Sequence, residues 1–205
     1  MPGTTDSPTP PAPAVRPAVP TGTPVDLPAA PQWRGVNHLA LVTPDMDATV
    51  RFYAGVLGMP VVATTMAGPM RHYFFEMSPG NTVAFFEVAG AETFAKGAGS
   101  PSDRAIQLDH LAFNLPDEAA LVQLQARLRA AGSEVTEIVD HGFLRSVYFT
   151  DPNGIALEAS HWVPEGTAPG TDPDDPARFL DPDPVPALTE LRAGALASVP
   201  RTRLV

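Results

Sequence analysis

The stretch NHLALVTPD at residues 37–45 returns as DHLAFNLPD at residues 109–117, with His, Leu, Ala, Pro and Asp repeated 72 positions apart. Each copy reads as a strand of alternating character that meets Pro and then an Asp placed to cap a helix. In the first copy Met46, Val50, Tyr53 and Leu57 form one apolar side and Gly58 ends the run; in the second Leu121, Leu124 and Leu128 follow Asp117 and Gly132 ends it. Three strand candidates follow each helix: MPVVATT (59–65), RHYFFEM (71–77) and TVAFFEV (82–88), then EVTEIV (134–139), LRSVYF (144–149) and IALEA (155–159). The predicted class is α+β: two tandem βαβββ modules, 33–100 and 105–162, forming a single curved, mostly antiparallel sheet with its helices outside.

Parity sorts the side chains. His38, Ala40 and Val42 point one way and Leu39 and Leu41 the other, and His110, Ala112 and Asn114 repeat the pattern against Leu111 and Phe113. The Leu and Phe faces suit the helices, which leaves both His on the concave side. HGFLRSVYFTDPNGIALE (141–158) closes the second module as a hairpin around Pro152, Asn153 and Gly154, with Gly154 free to take the left-handed conformation. That loop pairs Asp151 with Ile155 and sets Tyr148 opposite Glu158. Tyr148, Ala156 and Glu158 then share the concave face, and Val147, Phe149, Ile155 and Leu157 the core face. Glu158 lies 48 residues after His110, and the same step from His38 falls within one residue of Glu87. Each module thus offers a His on its first strand and a Glu on its last. A four-residue SPGN turn (78–81) would put His72 opposite Glu87 on the concave side, with Tyr73, Phe75 and Met77 in the core.

Around this domain the text changes. Residues 1–32 hold 10 of the 25 prolines and almost no large apolar side chains, the composition of a disordered tail. Residues 163–205 are again rich in Pro and Asp, and VPALTELRAGALASV (185–199) has the apolar spacing of a short helix. Net charge is -10 and the 13 basic residues are scattered, which argues against a nucleic-acid partner. With no cysteine, disulfides and thiolate metal sites are excluded, so metal chemistry must rest on His and carboxylate. No apolar run reaches membrane-spanning or secretion-signal length, so the expected location is the cytoplasm with no membrane partner.

The two HLA strands, the DPNG turn and the closing Glu resemble the vicinal oxygen chelate superfamily, the group of glyoxalases, bleomycin- and fosfomycin-resistance proteins and extradiol dioxygenases. The likeness covers roughly residues 34–160. Within that group Val139, His141, Val147-Tyr148, Asp151-Pro152, Gly154 and Glu158 stand at the spacings of the extradiol ring-cleavage signature. The resemblance implies His38, His110 and Glu158 as ligands of a divalent metal, Fe(II) foremost, with Mn, Ni, Zn or Co as alternatives. It places His141 and Tyr148 around a bound catechol.

Two imidazoles and one carboxylate leave three metal positions open, the arrangement of non-haem Fe(II) oxygenases, enough for a catecholate and dioxygen. His141 would shuttle a proton and Tyr148 would hydrogen-bond the substrate oxygen. Ring-cleaving relatives usually carry a further acid-base His where this chain has Asn81 and Thr82, a role His72 would fill. Glu87, as a fourth ligand, would leave two positions and favour a glyoxalase-like isomerase or lyase. A third reading is a metal-free binding protein that sequesters a drug or metabolite. The extradiol-type dioxygenase is preferred because the match includes His141 and Tyr148 as well as Glu158. Its partners would be an aromatic small molecule, dioxygen and a second copy of the chain as a homodimer. Arg71 and Arg145 could meet a substrate carboxylate, with solvated charge as the default reading, and His161 is expected at the surface.

Overall fold

A computed structural model describes residues 34–100, 108–163, 181–195 and 197; the predicted tail at 1–32 lies outside them. The elements are β1 (His38–Thr43), α1 (Met46–Val50), β2 (Val61–Ala67), β3 (Met70–Ser78), β4 (Asn81–Glu87), β5 (Leu111–Asn114), α2 (Glu118–Ala130), β6 (Val139–Asp140), β7 (Leu144–Thr150), β8 (Ala156–Trp162) and α3 (Pro186–Arg192). The fold is α+β and the βαβββ order occurs twice, as the repeat predicts. The strands divide into two four-stranded sheets, β1-β4-β3-β2 and β5-β8-β7-β6, where one continuous sheet was expected. In each sheet the first strand runs parallel to the last and the other pairs are antiparallel. The parallel pair is what a helical crossover allows. Strands β1 to β8 belong to one compact unit and α3 to another. The short α3 opens on Pro186, where a missing N–H costs nothing.

The caps are those read from sequence: Asp45 Oδ1 accepts from Ala48 N at 3.0 Å and Asp117 Oδ1 from Ala120 N at 2.8 Å. After Val50 the first helix widens into π-helical turns over Arg51–Val56, closed by Leu57 N donating to Phe52 O at 2.9 Å. The wider turn brings the adjacent Phe52 and Tyr53 both into the core, while Val50 and Leu57, expected on the buried side, are only partly buried. Tyr53 packs its ring 4.9 Å from Phe85 and 5.4 Å from Phe75. These rings join Leu121, Leu128, Val147 and Leu157 in one core cluster.

The fourth strand candidate of the repeat, EVTEIV, keeps only Val139–Asp140 and a lone bridge from Val135 to Phe149. Side chains take over the ladder there. Tyr148 N donates to Thr136 Oγ1 at 3.0 Å, and Gln125 Nε2 takes the Thr136 carbonyl at 2.7 Å.

A buried polar cluster joins the modules. The Asp151 carboxylate, 5% exposed, accepts from Asn153 N and Nδ2 at 2.9 Å each, from Ile155 N at 2.8 Å and from the Tyr53 hydroxyl at 3.3 Å. Asn153 Oδ1 in turn accepts from Thr43 Oγ1 of β1 at 2.9 Å. Removing the shared acceptor strands several buried donors at once, each of which costs about 1–3 kcal/mol. Asp151→Ala is therefore expected to lower stability by about 3 kcal/mol or more, read as a fall in the urea midpoint at unchanged slope, whereas Ser133→Ala, just past the C-terminus of α2, is expected to leave the midpoint in place.

Candidate functional site

The DPNG turn fixes the second module's concave face. Asp151 N donates to Ile155 O at 3.1 Å, Gly154 takes φ +79°, and Tyr148 stands opposite Glu158, the predicted register. Val147, Phe149 and Leu157 face the core, so Ser146, Tyr148 and Glu158 share the other side. Ser146 Oγ donates to Glu158 Oε1. Glu158 Oε2 lies 2.8 Å from Nε2 of His110, and Nδ1 of the same ring lies 2.7 Å from Asp109 Oδ2. Asp109 also accepts from Lys96 Nζ and from Gly99 N at 2.7 Å; Lys96, His110 and Gly99 together hold its carboxyl well below the usual range.

This arrangement fits a divalent metal. A carboxylate occupying Nδ1 orients the ring and leaves Nε2, side by side with Glu158 Oε2, as the nitrogen that would ligate. His38 carries the same device: its Nδ1 lies 2.8 Å from Asn37 Oδ1.

Around Glu158, Tyr148 OH lies 2.9 Å from His141 Nε2. Burial, then the nearby Glu158 carboxylate, pushes the Tyr148 phenol above its ordinary value, so it remains a donor. His141 is exposed and connects this hydroxyl to solvent.

The first module departs from expectation at Glu87. Its hairpin pairs Ser78 with Asn81 around Pro79 and Gly80, and a one-residue irregularity between Glu76 and Ser78 slips the register. His72 therefore stands opposite Phe86, not Glu87. His38, His72, Phe74 and Phe86 share the concave side; Glu87 pairs with the buried Thr43 on the helix side. There Glu87 Oε1 accepts from Met46 N at 3.0 Å and Oε2 from Arg71 Nη1, and these bonds lower its pKa. Strand register makes Ala84 the counterpart of Glu158, since Ala112 pairs with Glu158 and Ala40 with Ala84.

His72 is buried, stacks on Phe86 at 3.7 Å between ring centroids and sits 6.4 Å from the His38 ring. Asn81 and Thr82 hold loop and strand backbone: Asn81 Nδ2 donates to Pro79 O and Thr82 Oγ1 to Asn37 O, both at 3.1 Å. Among the described residues no three His, Asp or Glu side chains group closely enough to share an ion. The strands form two sheets, and β1 leaves His38 and Val42 exposed.

Two further expectations change. His161 is 1% exposed, because its odd position on β8 shares the core side with Leu157 and Ala159. Arg71 and Arg145 are ion-paired, Arg71 to Glu87 and Arg145 to Glu118 and Asp140. Asp109, Ser146 and Lys96 were missed from sequence; the signals were the Asn/Asp preceding each repeated His and the lone lysine of the chain.

A family profile described as the Glyoxalase/Bleomycin resistance protein/Dioxygenase superfamily matches residues 35–159. The chain belongs to this superfamily. Among its members, Biphenyl-2,3-diol 1,2-dioxygenase 3 of Rhodococcus globerulus is 29% identical over 121 residues, 59% of this chain and 60% of that protein. This superfamily chain thus spans about 60% of that relative's length. An uncharacterised protein of Pseudomonas aeruginosa is 31% identical over 140 residues, 67% of this chain and 94% of its own length. A solved glyoxylase/bleomycin resistance protein/dioxygenase domain from Frankia sp. EAN1pec superposes with TM-score 0.53 at 26% identity, covering 63% of this chain and 98% of that one. No described helix is long and apolar enough to cross a membrane.

The buried His72 yields a pH signature. Burial, then His38, lowers its pKa, so as pH falls below about 6.5 the unfolded chain takes up a proton at this residue before the folded one does. Stability is expected to fall between pH 7.5 and 5.5, and His72→Phe is expected to flatten that fall. Urea midpoints at the two pH values, compared between wild type and variant, make the check.

Proposed function

We propose that this superfamily member is an extradiol-type dioxygenase that opens the ring of a catechol-like ortho-diphenol with dioxygen. The observation that carries this reading is the position of Glu87. It is turned to the helix side, and the β4 residue that matches Glu158 is Ala84, so the last strand of the first module offers no carboxylate at that position. The donor set is then His38, His110 and Glu158, two imidazoles and one carboxylate, which leaves three positions for substrate and dioxygen. A four-ligand glyoxalase-like site would need the carboxylate that Glu87 does not present. The biphenyl-diol dioxygenase among the relatives supports the same reading.

His110 and Glu158 stand together in one chain, and His38 reaches them in this reading from a second copy. A divalent metal held there, Fe(II) in this proposal, would supply coordination sites for a catecholate and dioxygen and the redox chemistry between them. The chain's own residues handle binding and protons. Tyr148 OH donates to a substrate oxygen beside Glu158, and His141 Nε2, 2.9 Å from that hydroxyl, carries a proton between it and solvent. His72 travels with His38 as a neutral imidazole base, where Asn81 and Thr82 are occupied with backbone. Phe74 and Phe86 give an aromatic ring a flat apolar wall on the same face.

Oxygen consumption by anaerobically Fe(II)-loaded protein with a panel of ortho-diphenols tests the proposal, a coloured ring-opened product being expected. Glu158→Gln is expected to abolish uptake and Glu87→Gln to leave it unchanged, while His141→Ala lowers kcat by about 10²-fold with little change in KM. No uptake with any diphenol would overturn the reading and direct assays to hemithioacetal isomerisation with Ni or Co. Mixing inactive His38→Ala and Glu158→Gln chains is expected to restore activity, since one site of the mixed dimer then holds all three donors. Failure of the mixture to recover activity would place His38 in the same chain as its partners.

A further inference from the structure

We infer that Lys96 is a positioning residue for His110, acting through Asp109; the inference rests on the reading of His110 and Glu158 as metal ligands. Lys96 is the only lysine of the chain, and its side chain is 9% exposed. Its Nζ donates to Asp109 Oδ1 and to Gly97 O at 3.0 Å. The other oxygen of Asp109 takes Gly99 N at 2.7 Å and faces His110 Nδ1 at 2.7 Å, and His110 Nε2 faces Glu158 at 2.8 Å. Ammonium, carboxylate, imidazole and carboxylate thus follow one another in a line that ends at the candidate metal position.

The segment between β4 and β5 is seated to deliver this ammonium. Its backbone at Phe94 and Ala95 lies so close to Gly154 that a Cβ there would stand 2.8 Å from Ala95 Cα. The tip of the DPNG turn therefore doubles as the seat of the linker, and Lys96 shares a cleft with Phe94, Leu108 and Ile155. Asp109 itself is 45% exposed, and a half-exposed carboxylate bonded on one oxygen only would be free to turn toward water. A donor on each oxygen fixes its plane, and that plane fixes the imidazole. Carboxylates behind metal-bound His are typically worth 10–100-fold in metal affinity.

The test is calorimetric titration of the metal-free, full-length protein with Co(II), in a double-mutant cycle. Lys96→Met, which keeps the apolar stem, is expected to weaken Co(II) binding by about 10-fold, while the same change in an Asp109→Asn background adds less than about twofold. Urea midpoints establish that all variants are titrated folded. A loss that multiplies in full on Asp109→Asn would show that Lys96 serves only to pack the linker, and would overturn the inference. Equal affinity in wild type and Lys96→Met overturns it while leaving the ligands in place; a wild type that takes up no Co(II) overturns the ligand assignment itself and this inference with it.

Discussion

Four donors converge on the buried carboxylate of Asp151, three from its own turn and one from Tyr53 in the other module. Burial holds the pKa of this group above its ordinary value, and the turn's own N–H groups offset part of that cost. Once they do, the loop has one conformation, and the hairpin it closes has one register. Tyr148 opposite Glu158, and Ser146 beside Glu158, follow from that register without further instruction. The Tyr53 contact ties the same turn to the ring cluster under the first sheet.

The duplicated modules have diverged along their concave faces. At matching register, the second carries Ser146, Tyr148 and Glu158, and the first carries His72, Phe74 and Ala84. One half is acidic and hydrogen-bonded, the other aromatic and basic. Under the proposed function such a division would give one module the grip on a cation and the other the wall against which a flat ring rests. It also frees Glu87 for a structural task, accepting from Met46 N at the start of α1, where the helix dipole favours a negative charge.

What the sequence disclosed was whatever depended on short-range rules. The repeated His-Leu-Ala, the capping Asp45 and Asp117, and the Gly154 turn have local causes, and the turn sets the Tyr148–Glu158 register by counting alone. Glu87 was misread because its side depends on one irregular residue between Glu76 and Ser78, which inverts every later position of β4 and has no composition signature. The π-helical widening after Val50 hid the burial of Phe52 beside Tyr53, since wider turns shift the buried side away from the one that a regular 3.6-residue period marks through Val50 and Leu57. His161 was misplaced because β8 continues past Ala159 and keeps its alternation to Trp162. Lys96 and Asp109 escaped because a linker's path is decided by what it packs on, here Gly154.

The near-complete burial of the only lysine has a practical consequence. Amine-directed acylating reagents meet no other side-chain target on the chain, and this one is shielded by a carboxylate and an apolar cleft. Modification at that position therefore times the lifting of the linker from the turn, giving the protein a built-in chemical clock for opening next to the site.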